Sequence, residues 1–235
     1  GVKLLLLDYH PDLIIPIEGW QVTIALEATG TEKDLSIAHF LPQSKSGQRI
    51  VVEKFNGDFE KYVTGVQRIN RIVRYFFHQP VGKVTASYSF TVIPNEIQYT
   101  LPDSFPVMYE SQEHQEEYLQ SETLIQRDAP EISAKVEELR LPEINNGMKV
   151  LHTIFDYCYH TIRNAQFSGE TDAVLTCRLG EASCNGKSRL MVALCRNVGI
   201  PARLVGGLIL QGKQKRTTHQ WVEVFINGKW VSFCP

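Results

Sequence analysis

In the first part of the chain, apolar positions recur every second residue. Val22, Ile24, Leu26 and Ala28 alternate with polar or small residues, and Val84, Ala86, Tyr88, Phe90 and Val92 repeat the pattern. Arg49 to Phe55 and Ile72 to Phe77 are rich in β-branched and aromatic side chains. Alternation of this kind puts one row of side chains on one face of a strand. Turn-forming material at 30–34, 42–47, Asn56-Gly57 and Pro80 with Gly82 separates the runs. Short strands at that spacing predict an antiparallel β-sandwich over residues 1–95. His39 and His78 fall in strand-like runs and read as ordinary packed or surface side chains.

Residues 94–112 carry Pro94, Pro102 and Pro106 with little periodicity, so 96–127 is expected to be a linker and connecting segment. The period then becomes helical. Asp128-Ala129-Pro130-Glu131 predicts a helix start, with Asp128 as N-cap and Glu131 at the capping-box position. Val150, Leu151, Ile154, Phe155, Cys158 and Ile162 form one buried stripe, which makes Cys158 a core thiol. Ser183 is expected to cap a helix from about Cys184 to Val198, with Leu190, Leu194 and Val198 inward and Gly199 as the stop. Cys195 lies beside that stripe and reads as core. A strand from Ala202 to Leu210, a polar turn at 211–217 and a strand from His219 to Ile226 follow. Asn227-Gly228 then turns the chain into Lys229 to Phe233, the strongest hairpin signal present. The fold class is α+β, a β-sandwich followed by an α+β domain over 128–235.

Composition narrows the function. Of 235 residues 43% are hydrophobic and 21% charged, ordinary globular usage that excludes a disordered tail, a coiled coil or a collagen-like repeat. With 24 basic and 26 acidic side chains the net charge is −2, without a Lys or Arg run, so no nucleic-acid partner is expected. The apolar opening Leu4 to Leu7 is too short for a signal-peptide core or a membrane span, and the chain is expected to be soluble. Its start at Gly1 and its stop at Pro235, directly after a strand-like run, suggest a piece of a longer protein. Five cysteines, Cys158, Cys177, Cys184, Cys195 and Cys234, contain no C-x-x-C pair, which argues against a zinc ribbon or a thioredoxin-type motif.

One constellation carries chemistry. A thiol at the start of a helix meets unpaired N–H groups and a dipole that favour the thiolate, the nucleophilic form. For Cys184 the bland alternative is a buried, inert cysteine. The two-residue turn pairs Ile226 with Lys229, Phe225 with Trp230, Glu223 with Ser232 and Trp221 with Cys234. His219, Trp221, Glu223, Ser232 and Cys234 therefore share a face, with Cys234 diagonal to His219 at roughly 7–8 Å between backbones. That is where a third group would orient a catalytic imidazole. Here it is a thiol. Glu223 is an alternative orienter, and a pairing with Arg203 is an equally ordinary use for it.

Gly180-Glu181-Ala182-Ser183-Cys184, the run from Arg196 to Gly207, His219-Gln220-Trp221-Val222-Glu223 and Gly228-Lys229-Trp230 resemble the transglutaminase-like superfamily over about 146–235. The resemblance implies a papain-like fold with Cys184 as nucleophile, His219 as base, and Trp221 and Glu223 toward the substrate. It implies neither metal nor cofactor. The family's aspartate falls on Cys234, so the chain departs from the pattern there. Two functions follow: a thiol peptidase, amidase or acyltransferase on peptide or glutamine amides, or an inactive pseudoenzyme that binds a peptide or other ligand. A Cys184–His219–Cys234 zinc site and a Cys184–Cys234 disulfide are further alternatives. The β-rich first half, the strand at Gly206 to Leu210 and the missing aspartate are similar to bacterial domains of this type fused to seven transmembrane helices. That similarity implies an extracytoplasmic, periplasmic domain of a membrane-anchored parent.

Overall fold

The alternating runs of the first hundred residues become two antiparallel sheets. The computed structural model describes residues 2–6, 15–45, 47–106, 116–165, 171–210 and 217–235, by backbone only up to residue 18. It divides into two units, Gly1–Gln98 and Tyr99–Pro235. The first holds β1 (Val2–Leu6), β2 (Ile15–Thr31), β3 (Leu35–Phe40), β4 (Gln48–Gly57), β5 (Lys61–Gln67), β6 (Asn70–Phe77) and β7 (Val81–Pro94). One sheet has the order β1-β2-β7-β4 and the other β3-β6-β5.

On β7 the predicted inward row, Val84, Ala86, Tyr88, Phe90 and Val92, is buried. Rings from both sheets meet: Phe55 lies 5.0 Å from Tyr88 and 6.4 Å from Tyr75, and His39 6.0 Å from Tyr88. Buried phenols need polar partners. Tyr88 donates to the Glu53 carboxylate, which Arg71 pairs at 3.0 Å, and Tyr75 meets His39 Nε2 at 3.2 Å. Burial pushes the Tyr75 phenol up to about 12. His78 is an exposed partner of Asp34.

The second unit holds α1 (Pro130–Glu138), α2 (Gly147–Asp156) with a π-turn at Tyr157–Thr161, the two-residue strands β8 (Arg163–Asn164) and β9 (Glu181–Ala182), α3 (Ala173–Leu179), α4 (Cys184–Asn197), β10 (Ala202–Ile209), β11 (Thr217–Ile226) and β12 (Lys229–Phe233). The last three form an antiparallel sheet in the order β10-β11-β12. Helix α4 is the centre of the core. Sequence reading gives it one inner face, but every residue from Gly186 to Arg196 is buried, because α1, α2, α3 and the sheet surround it.

The segment before the helices is also more than a linker. The second unit begins at Tyr99, and Phe105 and Ile125 sit in its core. A Cβ on Gly147 would come within 2.6 Å of the Phe105 ring, so the glycine admits that plug. The α1 cap falls on Ala129 rather than Asp128, because Pro130 occupies the first helical position. Asp128 pairs with Arg127, and Glu131 with Arg178. Asn146 supplies a true side-chain cap to α2, accepting from the amides of Met148 and Lys149 at 2.9 and 3.2 Å. Of the expected polar turn, 211–216 lies outside the described residues, as do Leu7 and Ser46. Among the described residues no helix is long and apolar enough to cross a membrane.

Candidate active site

Cys184 is the first residue of α4 and is partly exposed. Ser183 occupies the N-cap, but its side chain makes no cap hydrogen bond, contrary to the sequence expectation. A Cβ on Gly186 would lie 2.5 Å from Thr176 Oγ1 and 2.6 Å from Ala182 Cβ, so this glycine lets the first turn of α4 tuck against α3 and β9. One turn beyond Cys184, the Ser188 hydroxyl donates to the carbonyl of Gln220 at 3.2 Å. Residues four apart share a helix face. The bond therefore turns the Cys184 side of α4 toward the start of β11, where His219 stands. The Cys184 thiol itself donates to Asn185 Oδ1 at 3.6 Å.

The hairpin forms in the register its turn dictates, from Ile226↔Lys229 to Val222↔Phe233. Asn227 at φ 46° and Gly228 at φ 84° both adopt the left-handed backbone of a type I′ turn. Cys234 consequently reaches His219, with Sγ 3.0 Å from Nε2. The imidazole stacks on Trp221 at 6.1 Å and 26°. Gly207 pairs with His219 across β10 and lies under the indole, where a Cβ would come within 2.6 Å.

Glu223 is engaged elsewhere. Arg203 holds its carboxylate through Nε at 2.8 Å and Nη2 at 2.6 Å, with both side chains mostly buried. The same guanidinium lies 4.0 Å over the Trp230 ring. The structure thus brings His219 and Cys234 into contact, sets Trp221 against the imidazole, and gives Glu223 to Arg203.

Residues 137–235 match the description of the transglutaminase-like superfamily. This part of the chain is a transglutaminase-like domain. A candidate cysteine protease from Cytophaga hutchinsonii shares the fold at a TM-score of 0.69 and 20% identity, over 92% of this chain and 78% of its own. The periplasmic domain of TgpA from Pseudomonas aeruginosa aligns over 93% of this chain and 70% of its own, at 14% identity and a TM-score of 0.46. No curated protein matches the chain.

Within the transglutaminase-like domain the five thiols are all free and differ sharply in environment. Complete burial pushes Cys158 far up and Cys195 up to about 12. Partial burial, then the neighbouring Cys184, push Cys234 up, and Lys187 opposes them. We expect iodoacetamide at pH 8 to leave Cys158 and Cys195 unmodified in the native protein and to label both in denaturant. Native labelling of either at the rate of Cys234 would show that the core opens. Among the described residues no three His, Cys, Asp or Glu side chains gather as metal ligands.

Sequence reasoning missed Lys187. It lies three residues after Cys184, is only 2% exposed, and donates to the carbonyl of Tyr159 at 3.1 Å. The signal was present: Lys187, Leu190, Leu194 and Val198 run along one helical stripe, so a cation stood in an apolar row.

Proposed function

We propose that the transglutaminase-like domain is a Cys–His acyl-transfer site for peptide or glutamine-type amides, in an extracytoplasmic part of a bacterial membrane protein. The observation that carries this reading is the 3.0 Å contact between His219 Nε2 and Cys234 Sγ. It engages Nε2 from the side of β12, and in this reading Nδ1 serves Cys184. Cys184 Sγ attacks the amide carbon while its proton passes to His219, and His219 then protonates the departing amine. The thioester is released to water or to an acceptor amine. Backbone N–H groups at the start of α4 steady the oxyanion, and Trp221 borders the acyl group. The extracytoplasmic location rests on the resemblance to the membrane-fused bacterial domains.

A second reading, a peptide-binding pseudoenzyme, is favoured by Cys234 itself. A neutral thiol that donates to Nε2 places the imidazole proton on Nδ1, the nitrogen that must accept one. Incubation with glutamine-containing peptides, followed by mass spectrometry at acid pH, separates the two. We expect the mass of an acyl group on Cys184, absent in His219→Ala. Peptide binding without any covalent adduct would establish the second reading.

A further inference from the structure

The start of β11 carries a carbonyl that its own sheet does not use. From the two-residue turn, Ile226 pairs with Lys229, Val224 with Val231 and Val222 with Phe233. The pair that flanks such a turn exchanges N–H···O bonds, and so does every second pair beyond it. Even-numbered residues of β11 therefore aim their amides and carbonyls at β12. Odd-numbered ones aim at β10, and the Phe225 amide accordingly reaches the carbonyl of Pro201 at 2.9 Å on that side. Continued by two, the series sets Gln220 opposite residue 235, from whose amide its carbonyl would accept. Residue 235 is a proline and has no N–H. The ladder stops at Val222 with Phe233, and the Gln220 carbonyl accepts from the Ser188 hydroxyl of α4 at 3.2 Å instead. Helix α4 supplies the bond that β12 withholds.

We infer that Ser188 is a positioning residue of the candidate site, whose hydroxyl fixes the spacing between Cys184 and His219. Both ends of its bond adjoin the reacting groups. Ser188 lies one helical turn from Cys184 on the same face, and Gln220 directly follows His219. The contacts of the imidazole with Cys234 at 3.0 Å and with Trp221 orient the ring from within its own sheet. The Ser188 bond sets that part of the sheet against the nucleophile's helix. Apolar burial between α4 and β11 is non-directional, whereas a hydrogen bond fixes a distance and an angle. Ser188 is wholly buried, so no bulk water competes for its hydroxyl. The inference rests on the acyl-transfer reading for its purpose, but one of its two tests needs no substrate.

The first test is turnover. In Ser188→Ala, kcat for ammonia release from a glutamine-containing peptide should fall by about 10²-fold, the loss expected of a 1 Å misplacement. KM should hold, and Ser188→Thr, which keeps the hydroxyl, should recover the rate. A purely structural role would lower the urea midpoint and spare kcat in the folded protein. The second test reads geometry alone, in a Cys234→Ser background that leaves an oxygen beside Nε2. Capping Cys184 with methyl methanethiosulfonate should displace the ¹³Cε1 resonance of His219. That displacement should shrink at least twofold in Ser188→Ala and return in Ser188→Thr. No displacement in the background protein, or one unchanged in Ser188→Ala, overturns the positioning role. A displacement that depends on Ser188, in a protein that turns over no amide, would uphold it and refute the acyl-transfer reading alone.

Discussion

Cys234→Asp should raise amide turnover by about 10²–10⁴-fold at neutral pH, measured as ammonia released from a glutamine-containing peptide. The reasoning starts from the tautomer. A carboxylate accepts from Nε2–H, fixes the lone pair on Nδ1, and stabilises the imidazolium that forms when Cys184 gives up its proton. Replacing the aspartate of a comparable triad by a neutral isostere lowers turnover by about 10⁴. Cys234 stands within 3.0 Å of Nε2, so the position already has the reach. In the parent chain, burial and Cys184 hold the Cys234 thiol above its ordinary value. Its anion is therefore present only at higher pH, and parent turnover should climb through the alkaline range. The variant, ionised well below neutrality, should lose that dependence. No gain in the variant, with peptide binding intact, would show that the site is built for binding.

The second large effect concerns stability. Arg196→Met should destabilise the second unit by about 3 kcal/mol, read as a lower urea midpoint at unchanged slope. Arg196 is 2% exposed at the end of α4. It donates to the carbonyl of Ala202 at 2.9 Å, the carbonyl of Gln120 at 2.6 Å and the Glu122 carboxylate at 2.6 Å. Methionine keeps the bulk and removes every donor. The Glu122 side chain is 55% exposed and can turn to water. The cost thus falls on carbonyls left without a partner. A loss below about 1 kcal/mol would mean that water replaces the guanidinium.

What the sequence disclosed follows from how local each feature is. A two-residue Asn227-Gly228 turn permits one register, so the meeting of His219 and Cys234 is legible in the sequence. The inward row of β7 was legible for the same reason, a period of two over one pleat. Features that depend on distant partners were not. Asp128 looked like a cap until Pro130 set the first turn, and the 96–127 segment looked loose because Phe105 and Ile125 plug the core singly, without periodicity. Ser183 had the right residue type and backbone for a cap, yet its hydroxyl does not serve one. Lys187 escaped notice because lysines are ordinarily assigned to the surface, and only the packing around α4 shows that its ammonium is enclosed. The Tyr88–Glu53–Arg71 network was equally hidden, since its members come from three strands far apart in the chain.

The hairpin has a consequence in time. His219 and Cys234 are fifteen residues apart along one turn, and hairpins of this kind close in about 1–10 μs. Cys184 lies on a helix whose placement waits for three other helices and the sheet to collect around it. The contact between the base and its partner is thus local in sequence, whereas the nucleophile is placed only by packing that draws on the whole second unit, so the site is complete only where that unit is assembled around α4.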